Sequence, residues 1–126
     1  MKIPLLDAID PQVLNDLARE QAETFQKDRL KTHQLRNVFS SIEKMRSIAK
    51  GVKENKYEAI RTDLILLKPK IAYAAGRQKS VRNSFFPFVE AAIDAVEKAG
   101  DKEKALKNFF ALMESVVGYH KYFETT

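Results

Sequence analysis

Ser84-Phe85-Phe86-Pro87-Phe88-Val89-Glu90-Ala91-Ala92-Ile93-Asp94-Ala95-Val96-Glu97-Lys98-Ala99-Gly100-Asp101 reads as one helix and a sharp turn into another. Phe85, Phe88, Val89, Ala92, Ile93 and Val96 recur at steps of three and four, which gathers them on one side of an α-helix. Ser84 is placed to cap that helix. Pro87 falls in its first turn, where the ring meets no upstream helical carbonyl. Gly100 closes the helix and Asp101 caps the next one immediately. So short a joint makes the two helices antiparallel neighbours.

Downstream, Leu106, Phe109, Phe110, Met113, Val116, Val117 and His120 share one stripe of a last helix, from about Lys102 to Phe123. At the other end of the chain, Asp10-Pro11 is an N-cap followed by proline at the first helical position, where the missing N–H costs nothing. Val13, Leu14, Leu17, Ala18 and Phe25 carry that first helix to about Lys27. A polar connector, Lys27–Lys31, leads to Thr32, which can cap a second helix. Leu35, Val38, Phe39, Ile42, Met45, Ile48 and Val52 form its apolar stripe, with Gly51 as its C-cap. A third helix, Lys56 to Leu67, buries Tyr57, Ile60, Leu64 and Leu67. Pro69 is expected to interrupt it, because the residue before a proline is pushed out of the α region. A short helical piece, Pro69–Ala75, then stops at Gly76. Strand signals are nearly absent. The expected fold class is all-α, a compact bundle of about five helices in a single domain over residues 1–126.

With 44% hydrophobic and 31% charged residues in 126, the chain has globular composition and suits one continuous core. There is no cysteine, so disulfides and thiolate metal sites are excluded. No apolar run approaches the roughly 20 residues that cross a bilayer. The start, Met1-Lys2-Ile3-Pro4-Leu5-Leu6-Asp7, is too short and too soon acidic for a secretory signal. A cytoplasmic location without a membrane partner is expected.

Charge is segregated along the chain. Lys27–Arg82 carries 15 basic against 5 acidic side chains, a local net charge of +10, while the flanks carry −3 and −2. A basic middle between mildly acidic ends suits a surface that meets a polyanion, since clustered cations displace condensed counterions. An ordinary solvated Lys-rich surface is the other reading.

Catalytic chemistry finds little footing. His33 and His120 are the only histidines, and His120 falls within the apolar stripe of the last helix, where a core role with one hydrogen-bond partner fits best. No Asp/Glu/His set has metal-ligand spacing. No phosphate-binding glycine loop or nucleophile elbow occurs. The chain is expected to be no enzyme, with no catalytic residues, no metal and no cofactor.

The basic features are more specific. On the second helix, with Arg36 at 0°, Ser47 falls at about 20°, Ser40 at about 40°, His33 at about 60°, Lys44 at about 80° and Lys50 at about −40°. Cations interleaved with small hydroxyls suit phosphate and ribose oxygens, although Glu43 shares the arc. A solvated helix face explains the pattern equally well. In Leu67-Lys68-Pro69-Lys70-Ile71-Ala72-Tyr73-Ala74-Ala75-Gly76-Arg77, a helix starting at Pro69 would turn Ile71, Ala72 and Ala75 inward. Lys70 and Tyr73 would share the outer side, joined by Arg77 if the turn carries past Gly76. Lys68 would flank the helix start, whose free N–H groups favour an anion. Tyr73 among these cations could stack on a base. A proline kink with a tight Ala/Gly helix contact would produce the same stretch.

Lys68-Pro69-Lys70-Ile71-Ala72-Tyr73-Ala74-Ala75-Gly76-Arg77 also resembles the signature of the small subunit of type III-A CRISPR effector complexes, the Csm small-subunit family. Lys31-Thr32-His33-Gln34-Leu35-Arg36-Asn37-Val38-Phe39 is similar to that family's Thr-x-Gln-apolar-Arg-x-apolar-aromatic helix start. Val117-Gly118-Tyr119-His120-Lys121-Tyr122-Phe123 resembles its C-terminal ending. The resemblance implies a non-catalytic helical subunit that assembles in several copies beside the guide-RNA-binding backbone subunits and the large polymerase-like subunit. Its implied partners are guide RNA and target RNA, through their backbones, and the other subunits of the complex, including further copies of itself. Carried over by position, Arg36, Lys68, Lys70, Tyr73 and Arg77 are the implied RNA-facing residues; Lys44 and Arg46 join them on local basicity alone. These side chains are expected to converge on one track that a ribose–phosphate strand follows. A pure assembly module with little RNA affinity of its own, and a metal-independent ribonuclease using His33 or His120, are the competing readings.

Overall fold

The computed structural model describes residues 1–125. α1 spans Pro11–Lys27, opened by the Asp10 carboxylate, which accepts from the Gln12 N–H at 2.9 Å. It closes with Arg29 at φ 60°, the Leu30 N–H donating to the Phe25 carbonyl (2.9 Å) and the Arg29 N–H to that of Gln26 (3.1 Å). Left-handed closures of this kind favour glycine, and burial of Leu30 anchors this one despite the arginine. α2 (Thr32–Lys50), α3 (Lys56–Ala75), α4 (Phe86–Lys98) and α5 (Lys102–Thr125) follow, with a π-helical turn, Val81–Phe85, running straight into α4.

α5 lies at the centre, packing most extensively on α1 and also touching α2, α3 and α4. It therefore buries more than one stripe: Ala105, Leu106, Phe109, Phe110, Leu112, Met113 and Val116 all enter the core. α2 pairs with α3, and α3 in turn meets α4 and the π turn. One cluster of buried side chains draws on every helix. Phe25 closes its α1 side, edge-on to Phe85 at 5.4 Å and to Phe88 at 5.7 Å.

Four local expectations change. α3 runs unbroken through Pro69. Its buried residues Leu64, Leu67, Ile71 and Ala75 keep helical register across the proline, whose ring lies on the exposed side. Proline inside a helix costs about 3 kcal/mol, and burying one more Leu- or Ile-sized side chain returns about 1.5–3 kcal/mol, so continuous packing prevails. Ala72, expected inside, is exposed on this continuous helix. Ser84 caps nothing; it sits within the π turn, and its hydroxyl donates to Asp28 at 2.7 Å. Thr32 is the first residue of α2 rather than its cap, and its hydroxyl bonds Glu124 of α5.

The two connections at one end of the bundle are fastened by side chains that reach backbone. Both Glu103 carboxylate oxygens accept from the start of α3, at the Lys56 and Tyr57 N–H groups, each at 2.8 Å. This tertiary cap replaces the one Asn55 omits, as Asn55 sits at φ 57° without a side-chain bond. The Lys56 ammonium closes α2 at the Ala49 (2.6 Å) and Val52 carbonyls. The Lys102 ammonium closes α4 at the Glu97 and Ala99 carbonyls, both at 2.8 Å. Asp101 caps α5 by accepting from the Lys104 N–H at 3.0 Å, as the Gly100-Asp101 pair implies. The N-terminal segment lies over this end, with Leu6 fully buried and its carbonyl accepting from Asn108 at 2.6 Å.

Candidate nucleic-acid interface

A groove runs between α2 and α3 to the π turn. α2 presents Asn37, Ser41 and Lys44 along one shoulder; facing it are Lys70 of α3 and, two helical turns or about 10 Å further on and just past the end of α3, Arg77. The deeper section, about 440 Å³, is floored by Val38, Leu67, Ile71, Ala74, Val81 and Phe85. Ser41, Leu67 and Lys70 continue into a second section of about 340 Å³, which Lys44, Met45, Ile48, Asp63 and Leu66 complete.

Lys70 stands where the sections meet. Its ammonium lies 3.3 Å from the Ser41 hydroxyl. Helical hydrogen bonding carries past Gly76, with the Gln78 N–H donating to the Ala74 carbonyl at 2.9 Å, so Arg77 stays on the Lys70 side. The Arg77 guanidinium sits 5.7 Å from the Tyr73 ring centre and its Nη1 is 3.4 Å from the Tyr73 hydroxyl. Tyr73 is 71% exposed, leaving its ring open to solvent beside the groove. Among the described residues, Lys44, Lys70 and Arg77 form no ion pair. Asp63 is the one acid among the described residues lining the groove.

The other three expected site residues lie elsewhere. Lys68 points away from Lys70 and pairs with Asp94 of α4; α3 has no helix start here for it to flank. Arg46 pairs with Glu114 of α5 at 3.0 Å and with Glu43 at 3.5 Å, and lies over the Phe110 ring. Its hydrogen bond to Glu114, reinforced by both carboxylate charges, raises its pKa. Arg36 is exposed, and it helps hold the Glu124 carboxyl below its ordinary range, behind the larger effect of the Thr32 hydroxyl. The single track expected from Arg36, Lys68, Lys70 and Arg77 is thus divided. Lys70 and Arg77 share the groove, joined by Lys44, while Arg36, Lys68 and Arg46 do not line it.

Centring the polar face of α2 on Arg36 places it too far round the helix. The groove takes Lys44, Asn37, Ser41 and Gln34, at about 80° to 160° on the same wheel. Their spacing was visible: Gln34, Asn37, Ser41 and Lys44 step by three, four and three. Which shoulder of α2 faces α3 was not.

Outside the groove, His120 is buried on α5. Burial lowers its pKa, partly offset by Glu124 and by a hydrogen bond to the Leu30 backbone. Among the described residues no group of three or more His, Cys, Asp or Glu side chains could hold a metal ion, and no helix is long and apolar enough to cross a membrane.

A family model, Csm2 Type III-A, matches residues 8–126. The chain belongs to the Csm2 Type III-A family. It is therefore a small subunit of a type III-A CRISPR complex, and the other Csm subunits of that complex are its partners. The match takes in α1, for which the sequence alone offers no resemblance, together with the whole α2–α3 groove. No curated protein and no solved structure matches this Csm2-family chain.

Proposed function

We propose that this Csm2-family subunit is a non-catalytic, cytoplasmic RNA-tracking element. Several copies assemble alongside the guide RNA–target RNA duplex, each laying its α2–α3 groove against a ribose–phosphate strand. Lys70 and Arg77 contact successive phosphates, Lys44 extends the contact, and Tyr73 offers a ring for stacking. Arg36 adds positive potential nearby, while Lys68 and Arg46 serve the fold. The observation that supports this most is that Lys44, Lys70 and Arg77 line one groove without a carboxylate partner among the described residues, while the neighbouring Arg46 and Lys68 are neutralised.

RNA binding by the purified subunit, followed by fluorescence anisotropy across salt concentrations, tests the reading. Lys70→Glu with Arg77→Glu should reduce affinity and flatten the salt dependence by about 0.7 in log–log slope per cation removed, with helicity unchanged. Unaltered affinity in the double variant refutes it. One observation favours a protein-assembly role for the second section: Leu66 is 57% exposed and Ile48 48% exposed beside it. On that reading Leu66→Ser prevents copurification with the other Csm subunits and leaves RNA affinity untouched.

A further inference from the structure

The deeper section of the groove holds more than a phosphate track requires. Two cations on a convex helix would suffice to follow a strand, yet here they stand over a concave cleft of about 440 Å³, within the range of small-ligand sites. Its apolar lining is aliphatic and aromatic: Val38, Leu67, Ile71, Ala74, Val81 and Phe85. Three amide side chains, Gln34, Asn37 and Gln78, line it as well, beside His33. The Gln34 carbonyl already accepts from the Lys31 N–H at 3.3 Å, which leaves its NH2 group as a donor. An amide offers a donor and an acceptor side by side, as the edge of a nucleobase does. Apolar side chains, amides and the two cations Lys70 and Arg77 thus share one lining.

We infer that this cleft receives one unstacked nucleobase. The base face lies on Val38 and Ile71, its edge meets Asn37 and Gln78, and the phosphates flanking it rest one on Lys70 and the next on Arg77. The ligand class is a nucleoside 5′-phosphate, supplied by an unpaired position of an RNA strand. A free mononucleotide shares that chemistry. The inference rests on the strand-tracking reading but adds a distinct consequence: the subunit distinguishes a strand with bases from a bare ribose–phosphate chain, and single-stranded RNA from a continuous duplex.

Wild-type protein is titrated with a short uridine-rich single-stranded RNA, with the same strand carrying abasic sites, and with its duplex. The strand with bases should bind about tenfold more tightly than either of the others at equal salt. Ala74→Phe, which fills the cleft and leaves every cation in place, should reduce single-strand affinity to the abasic level without altering the salt slope. UMP and AMP, followed through side-chain amide NMR signals, separate the sources. Weak shifts at millimolar nucleotide alongside tight strand binding support a base within RNA; micromolar binding of the mononucleotide that displaces RNA overturns that assignment. Equal affinity of wild-type protein for the strand with bases and the abasic strand overturns the base site. Strand tracking then still stands if Lys70→Glu with Arg77→Glu abolishes binding. The wild-type comparison needs no variant, so a poorly folded Ala74→Phe protein leaves the test intact.

Discussion

At the end of the bundle where the α2–α3 and α4–α5 connections meet, lysines and carboxylates turn onto backbone; in the groove between α2 and α3, the same residue types face solvent. Lys56 and Lys102 close two helix C-termini, and Glu103 opens a third helix through both its oxygens. Arg61 of α3 pairs with Glu97 of α4 at 3.0 Å across the same end. In the groove, Lys70 lies against the Ser41 hydroxyl and Arg77 against the Tyr73 hydroxyl and ring, and among the described residues neither meets a carboxylate. A count of charges cannot separate these uses, because both regions are rich in lysine. What separates them is whether unsatisfied helix-end carbonyls or N–H groups lie within a side chain's reach. Charge that reaches such ends, or a carboxylate on a neighbouring helix as Lys68 and Arg46 do, serves folding; the groove cations reach neither and stay available to a partner.

The strongest way to break this contrast is to disturb the fastened end and look for an effect in the groove. Glu103→Ala removes the cap from α3 and strands two backbone donors, so a stability loss of about 2 kcal/mol is expected by urea unfolding. RNA affinity, measured well below the unfolding midpoint, should stay at the wild-type value. A parallel fall in RNA affinity would mean that the ends and the groove are not separable.

Much of this division was legible in the sequence. Asp10-Pro11 and Asp101 announced helix starts through local hydrogen-bond chemistry, and both act as read, whereas Ala99 rather than Gly100 caps the end of α4. The apolar stripes of α4 and α5 likewise needed only helical periodicity, while that of α2 holds except at Ile48, which is exposed. Pro69 misled because its local preference opposes the helix, while the packing of Ile71 and Ala75 that overrides it is tertiary. The fates of Lys68 and Arg46 were hidden for the same reason, since Asp94 and Glu114 lie 26 and 68 residues away. Glu103, capping a helix 47 residues upstream, leaves no local signal either.

A smaller effect sharpens the contrast from the core. Burial holds the His120 imidazole below its ordinary pKa, more than Glu124 and the Leu30 backbone raise it. The unfolded chain, with an ordinary histidine pKa near 6.5, therefore binds the proton more readily than the folded one. Stability from this residue is complete above that value and is lost as pH falls below it towards the folded pKa. Urea midpoints between pH 7.5 and 5.5 should decline, and His120→Gln should flatten the decline. A slope unchanged in the variant would assign the acid sensitivity to other groups.

The finest test lies within α3, where Lys68 and Lys70 stand two residues apart and face opposite ways. Lys68 reaches Asp94 with both side chains partly exposed, a setting in which an ion pair contributes less than about 1 kcal/mol. Lys68→Ala should therefore lower stability only slightly and leave RNA binding unchanged. Lys70→Ala should do the reverse, since its ammonium has no carboxylate partner to lose. Because the two changes remove the same charge from nearly the same place, a general loss of positive potential predicts equal effects on RNA. A difference between them can arise only from the direction each side chain takes. Direction is what the uninterrupted helix through Pro69 determines: had α3 broken there, the angular relation of the two lysines would not be fixed. Equal RNA affinities for Lys68→Ala and Lys70→Ala would remove the groove from the account and leave diffuse charge in its place.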